Sequence, residues 1–95
     1  MKLYISSGVM IKLQDKHAVT KDEIIQCFAN RTTDRFLEDK RENHKTIPPT
    51  LWFVAETNHG RKLKVVFVQR PDGCIDIKTA YIANPVELRI YAKYK

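Results

Sequence analysis

Arg61, Lys62, Lys64 and Lys78 stand on two neighbouring β-rich runs, and the closing segment carries Glu87, Arg89, Tyr91 and Tyr94. These residue types suit work on a phosphodiester. Lysine and arginine neutralise phosphate charge, a carboxylate or imidazole moves protons, and a tyrosine stacks on a base or gives up its hydroxyl proton. The matching reaction is metal-free RNA cleavage. A base takes the proton from the 2′-hydroxyl, which attacks the adjacent phosphate. Cations stabilise the charge on the phosphorane, and an acid protonates the leaving 5′-oxygen. On this expectation Arg61, Lys64, Lys78 and Arg89 clamp the phosphate, and Glu87 and His17 are the acid–base candidates. Lys62, Tyr81 and Tyr91 contact the substrate. A lysine crowded by like charges is an alternative base, because crowding lowers its pKa. Each residue also has a structural alternative. Strand lysines form cross-strand charge pairs, Glu87 can close a capping box, His17 can end a helix, and Tyr91 can be a core ring with its hydroxyl outside.

Other chemistries are excluded by absence. The sequence has no H-E-x-x-H, no P-loop and no G-x-S-x-G. His17, His44 and His59 are dispersed, and neither Cys27 nor Cys74 sits in a C-x-x-C or zinc-ligand pattern. No metal or cofactor is expected, and the cysteines read as two buried thiols.

The elements that must position these groups follow from caps and periodicity. Residues 2–5 alternate as an edge strand. Ser6 or Ser7 caps a helix ending near Lys16. Thr20 and Glu23 form a capping box, with Val19 and Ile24 as its staple and Ile24, Ile25, Cys27 and Phe28 as the buried face. Residues 35–39 read as a short strand and residues 40–50 as an exposed loop. LWFVAET, RKLKVVFVQR and CIDIKTAYI, separated by NHG and PDG, form an antiparallel meander. Asn84, Pro85 and Glu87 start a closing helix running to about Lys93. The predicted order is β-α-α-β-β-β-β-α.

Alternation puts Leu63, Val65 and Phe67 on one face of the central strand and Lys62 and Lys64 on the other. A three-residue NHG loop sets Glu56 opposite Lys62 and Val54 opposite Lys64. In the next strand Ile75, Ile77, Thr79 and Tyr81 are expected on one face, with Asp76 and Lys78 on the other.

The 95 residues form one domain, 1–95, and the net charge of +6 favours an anionic partner, nucleic acid or an acidic protein. No signal-peptide run and no membrane-spanning stretch is apparent, so the protein is expected in the cytoplasm.

KHAVT, LED, HGRKLKVVFVQR, IDIKTAY and ELRIYAKY, in that order, resemble the BrnT-like toxins of bacterial toxin–antitoxin pairs, compact members of the RelE/ParE superfamily. The similarity runs from about Lys16 to Tyr94. It implies an α+β, RelE-like fold, a small antiparallel sheet packed by two N-terminal helices and one C-terminal helix. It also implies ribonuclease activity on RNA, possible ribosome association, and a cognate acidic antitoxin; a homodimer is open. The family's K-H-G-V-S corresponds to Lys16, His17, Ala18, Val19 and Thr20. Its G-R corresponds to Gly60 and Arg61, and its E-x-R-x-Y to Glu87, Arg89 and Tyr91. Tyr81 stands where the family has Arg, and Ile5, Ser6 and Leu13 where it has Trp, Asp and Asn. The alternative is a non-catalytic module of the same fold held by an acidic antitoxin-like partner. An ADP-ribosyl-(dinitrogen reductase) hydrolase label, attached to some similar sequences, lacks the clustered acidic ligands that chemistry needs.

Overall fold

A computed structural model describes residues 2–40 and 46–94. The element order is β1 (Leu3–Tyr4), α1 (Ser7–Lys12) continued by a π-helical turn (Leu13–His17), α2 (Lys21–Ala29) and β2 (Leu37–Glu38). Then come β3 (Thr50–Glu56), β4 (Lys62–Gln69), β5 (Ile75–Ile82) and α3 (Pro85–Tyr94). The order matches the one expected. The loop expected at 40–50 falls partly on residues 41–45, outside the described residues, as does His44.

β4 is the centre of a five-stranded sheet ordered β1-β5-β4-β3-β2. Every residue from Leu63 to Val68 is buried, as a central strand covered on both faces requires. On one face Phe53, Leu63, Val65, Phe67 and Ile77 are completely inaccessible and meet Ile24, Cys27 and Phe28 of α2. Phe28, Phe36, Phe53 and Phe67 pack edge to face, with centroids 4.7 Å apart for Phe28–Phe53 and 4.9 Å for Phe36–Phe67. Such pairs add about 0.5–1.5 kcal/mol to the burial of each ring. α3 covers part of the opposite face, with Tyr91 against Trp52.

The turns fix the register. Gly60 and Gly73 have φ of +84° and +87°, values that only glycine adopts without strain. The first turn sets Glu56 opposite Lys62 and Val54 opposite Lys64, as the loop length predicts. The helix starts also match. Ser6 accepts from the Val9 amide, the Thr20–Glu23 box is closed in both directions, and Asn84 and Glu87 exchange the same pair of bonds.

Three features differ from expectation. The sheet is mixed rather than antiparallel, because β1 pairs parallel to β5 through Leu3↔Ile75 and Tyr4↔Asp76. The whole β1-to-β5 segment serves as the crossover that a parallel pair needs. The first helix leaves α geometry at Leu13 and ends on Ala18, whose φ of 50° lies in the left-handed region. Finally, β5 carries a bulge: Phe67 pairs with Ile77 and Val66 with Thr79, leaving Lys78 unpaired. An extra residue reverses which face the following side chains occupy. Ile77 and Ala80 therefore both point to the α2-covered core, and Thr79 and Tyr81 turn to the face of Lys64. The expected grouping of Ile75, Ile77, Thr79 and Tyr81 on one face is thus overturned.

Candidate active site

Lys64 lies on the face that α3 covers, and it is 8% exposed. A lysine so enclosed must be paired. Its Nζ donates to Glu87 Oε2 at 2.9 Å and sits 4.5 Å from the centre of the Trp52 ring, with Tyr81 at 5.7 Å. The Tyr81 hydroxyl donates to the same Oε2 at 2.8 Å. Glu87 Oε1 accepts the Asn84 amide at 3.0 Å. Glu87 therefore keeps its helix-capping role and also joins Lys64 and Tyr81 in one hydrogen-bonded chain. The bulge at Lys78 makes this chain possible, since it brings Tyr81 onto the face of Lys64, its cross-strand partner.

Burial alone would raise the Glu87 carboxyl pKa. The Asn84 amide, Lys64 and Tyr81 outweigh it and hold the group below the ordinary 4.5. Glu87 is therefore an anion at neutral pH. Burial first, and then the bond to Glu87, raise the Tyr81 phenol, which stays protonated and is a donor. The neighbours of Lys64 are a carboxylate and two rings, the reverse of like-charge crowding, so its geometry is that of a fixed cation rather than a base.

His17, half-buried at the end of the π-helical turn, packs its ring 5.5 Å from that of Tyr81 at a 42° tilt. Tyr91 is buried, its ring 6.0 Å from Trp52 and its hydroxyl donating to the Arg35 carbonyl at 3.4 Å. It is a supporting ring with one edge in an adjoining cleft. That cleft, of about 340 Å³, is lined by Val54, Glu56 and Lys62 of the sheet, by Leu88 and Tyr91 of α3, and by Thr32. Lys62 is exposed, and neither it nor the Glu56 carboxylate has an ion-pair partner among the described residues.

The expected four-cation clamp is not assembled. Arg61 turns to the helices. Its guanidinium donates to Glu23 Oε2 at 2.7 Å, to the Ala18 carbonyl at 2.9 Å and to the His17 carbonyl at 3.5 Å. It ties the start of β4 to the junction between the π-helical turn and α2. Lys78, displaced by the bulge, shares Asp76 with Arg70 at 3.3 Å and 3.0 Å. Arg89 is exposed on α3 without an ion-pair partner among the described residues. Of the nine residues expected at a site, the structure joins Lys64, Glu87, Tyr81 and His17, sets Lys62 and Tyr91 beside them, and sends Arg61, Lys78 and Arg89 elsewhere. Trp52, the floor under Lys64, was not anticipated. Its place diagonally across from Lys64 follows from the register Val54↔Lys64 and Trp52↔Val66.

Among the described residues no three His, Cys, Asp or Glu side chains gather as a metal-binding group. Cys27 and Cys74 are free and buried. Among the described residues no helix is long and apolar enough to cross a membrane. Comparison with protein-family models, with curated proteins and with solved structures finds no match to the chain.

Proposed function

We propose that this protein is a toxin-like, metal-free endoribonuclease on a RelE-like fold, acting in the cytoplasm and restrained by an acidic antitoxin-like protein. The observation that carries the reading is the Lys64–Glu87–Tyr81 chain, in which a fixed cation and a phenolic donor meet on one carboxylate oxygen. Glu87, ionised, takes the proton from the RNA 2′-hydroxyl. The 2′-oxygen attacks phosphorus, and Lys64 offsets the charge growing on the phosphorane. Tyr81 gives its proton to the departing 5′-oxygen as the P–O5′ bond breaks. The proton now on Glu87 returns to the Tyr81 phenolate along their 2.8 Å hydrogen bond, so the cluster is restored without an external acid. The products are a 2′,3′-cyclic phosphate and a free 5′-hydroxyl. His17 positions the Tyr81 ring, and Arg89 attracts the RNA backbone from its exposed place on α3.

The test is induced expression in a bacterial host with growth and total RNA followed together, wild type beside Tyr81→Phe and Glu87→Gln. Growth arrest with RNA cleavage, relieved by both substitutions in soluble folded protein, is expected. Normal growth and intact RNA from abundant soluble wild type would refute it.

A second reading is the non-catalytic module of the same fold. It is favoured by the outer face of α3, where Val86, Ile90 and Tyr94 remain 52%, 41% and 49% exposed beside Arg89 and Lys93. An apolar stripe with basic flanks suits an acidic amphipathic partner. Intact RNA together with a stable complex with such a partner would select it.

A further inference from the structure

The proposed chemistry leaves the cleft beside it unused, although two residues that line the cleft also border the Lys64 cluster. Val54, a lining residue, is the direct cross-strand partner of Lys64, and Tyr91, another, packs on the Trp52 ring beneath Lys64. Its size falls within the range of small-molecule sites, roughly 300–1,000 Å³. Its chemistry is divided. Val54, Leu88 and Tyr91 form an apolar and aromatic wall, while Glu56 and Lys62 face each other across the β3–β4 ladder at its rim. Cross-strand partners of opposite charge ordinarily pair; these two do not. Both remain available to a ligand.

From this arrangement we infer that the cleft is a base-recognition site for a guanine nucleotide, with Glu56 reading the base and Lys62 holding its phosphate. The inference rests on the reading of the chain as acting on RNA, and names the nucleotide that this site selects. A carboxylate accepts two parallel N–H bonds. Guanine alone among the four RNA bases presents two adjacent donors of that kind, N1–H and the 2-amino group, on its Watson–Crick edge. Adenine and cytosine offer a single amino donor beside an acceptor, which a carboxylate repels, and uracil offers one imide N–H between two carbonyls. The apolar wall with the Tyr91 ring takes the base plane, and the Lys62 ammonium, next but one to Lys64 on the same face, takes the phosphate on the side toward the Lys64–Glu87–Tyr81 chain. A guanosine bound so would direct cleavage beside G.

The test is a titration of the full-length ¹⁵N-labelled protein with the four nucleoside 3′-monophosphates, which contain no bond to cleave. Wild type is expected to bind guanosine 3′-monophosphate about tenfold or more tightly than the other three, the discrimination a good bidentate contact gives. Amide shifts should centre on Val54, Glu56, Leu88 and Tyr91. Glu56→Gln should abolish the preference, since an amide offers one acceptor and one donor. Lys62→Ala should weaken all four alike. Both variants change exposed side chains, and their spectra away from the cleft report whether the fold is kept. Absence of shifts in the cleft, or a guanine preference unchanged in Glu56→Gln, overturns the inference. Cleavage of RNA by wild type is scored separately. Cleavage without guanine preference removes this site and leaves the ribonuclease; guanine binding in the cleft without cleavage keeps the site and removes the ribonuclease.

Discussion

Replacing Lys64 by Met removes one charge and leaves the apolar stem against Trp52 almost intact. The cost therefore comes from Glu87, which keeps its Asn84 and Tyr81 hydrogen bonds but loses its cation. Removing one partner of a fully buried ion pair costs about 3–5 kcal/mol. Here the two side chains are 10% and 14% accessible, and the retained donors soften the loss, so about 2–4 kcal/mol is expected at pH 7. For a domain of this size that corresponds to a fall in Tm of roughly 10–20 °C. The sign of the pH dependence follows from Glu87. Its folded pKa lies below the ordinary 4.5, so its contribution is complete above 4.5 and is lost as pH falls through the folded value. Lys64 supplies part of that contribution, so the gap between Lys64→Met and wild type should close on acidification below 4.5. Urea unfolding of both proteins between pH 7 and pH 3 measures it. A Lys64→Met protein within about 0.5 kcal/mol of wild type at pH 7, or a gap that stays constant to low pH, would refute the account of Lys64 as the counter-ion of an ionised Glu87.

Arg61→Ala should cost about 1–2 kcal/mol by releasing Glu23 and the Ala18 carbonyl, and the loss should shrink in acid as Glu23, also held below 4.5, takes up a proton; urea midpoints at pH 7 and pH 3 check both. Ala18→Gly should stabilise the protein by roughly 0.5–1 kcal/mol, because glycine accepts the left-handed φ without the Cβ clash; a fall in Tm would count against the strain. The Cys27 thiol is pushed up to about 12, by burial first and by the Glu23 charge second. Native protein at pH 8 should therefore be alkylated at Cys27 only as fast as it unfolds, and rapid modification without unfolding would contradict that burial.

Much of this arrangement was legible because local chemistry dictated it. The Thr20–Glu23 and Asn84–Glu87 boxes are set by residues three apart. The β3–β4 register follows from a short turn with a glycine at its required place. What escaped reading was non-local. Arg61 meets Glu23 across 38 residues, and nothing near Arg61 in sequence marks it as a structural tie rather than a phosphate ligand. The parallel pairing of β1 involves two residues against a strand more than seventy positions away, too short for any pattern. Lys64 reads as solvent-facing, and the Trp52 ring that shields it is revealed only once the register is drawn. The bulge hid itself in good alternation, since Ile75, Ile77, Thr79 and Tyr81 look like a proper strand face. The buried pair Ile77 and Ala80, three apart where alternation demands two or four, is its sole trace.

That extra residue makes the site a matter of counting as well as of chemistry. Lys78 pairs with no residue of β4: the ladder steps from Ile77 to Thr79, and this skip decides on which side of the sheet everything after it emerges. Substitution of Lys78 by another residue leaves that ladder alone, and so would its excision, because Ile77 opposite Phe67 and Thr79 opposite Val66 already stand as successive pairs. Were Lys78 instead to take a regular place in the ladder, Ala80 would trade places with its neighbours, the Tyr81 hydroxyl would be delivered to the wrong side of the sheet, and Glu87 would be left with Lys64 as its one side-chain partner. The site therefore depends on the skip in the ladder and not on which residue is skipped. Loss of the bulge with the residue retained would be felt at Tyr81 and Glu87, without a change in any residue that touches them.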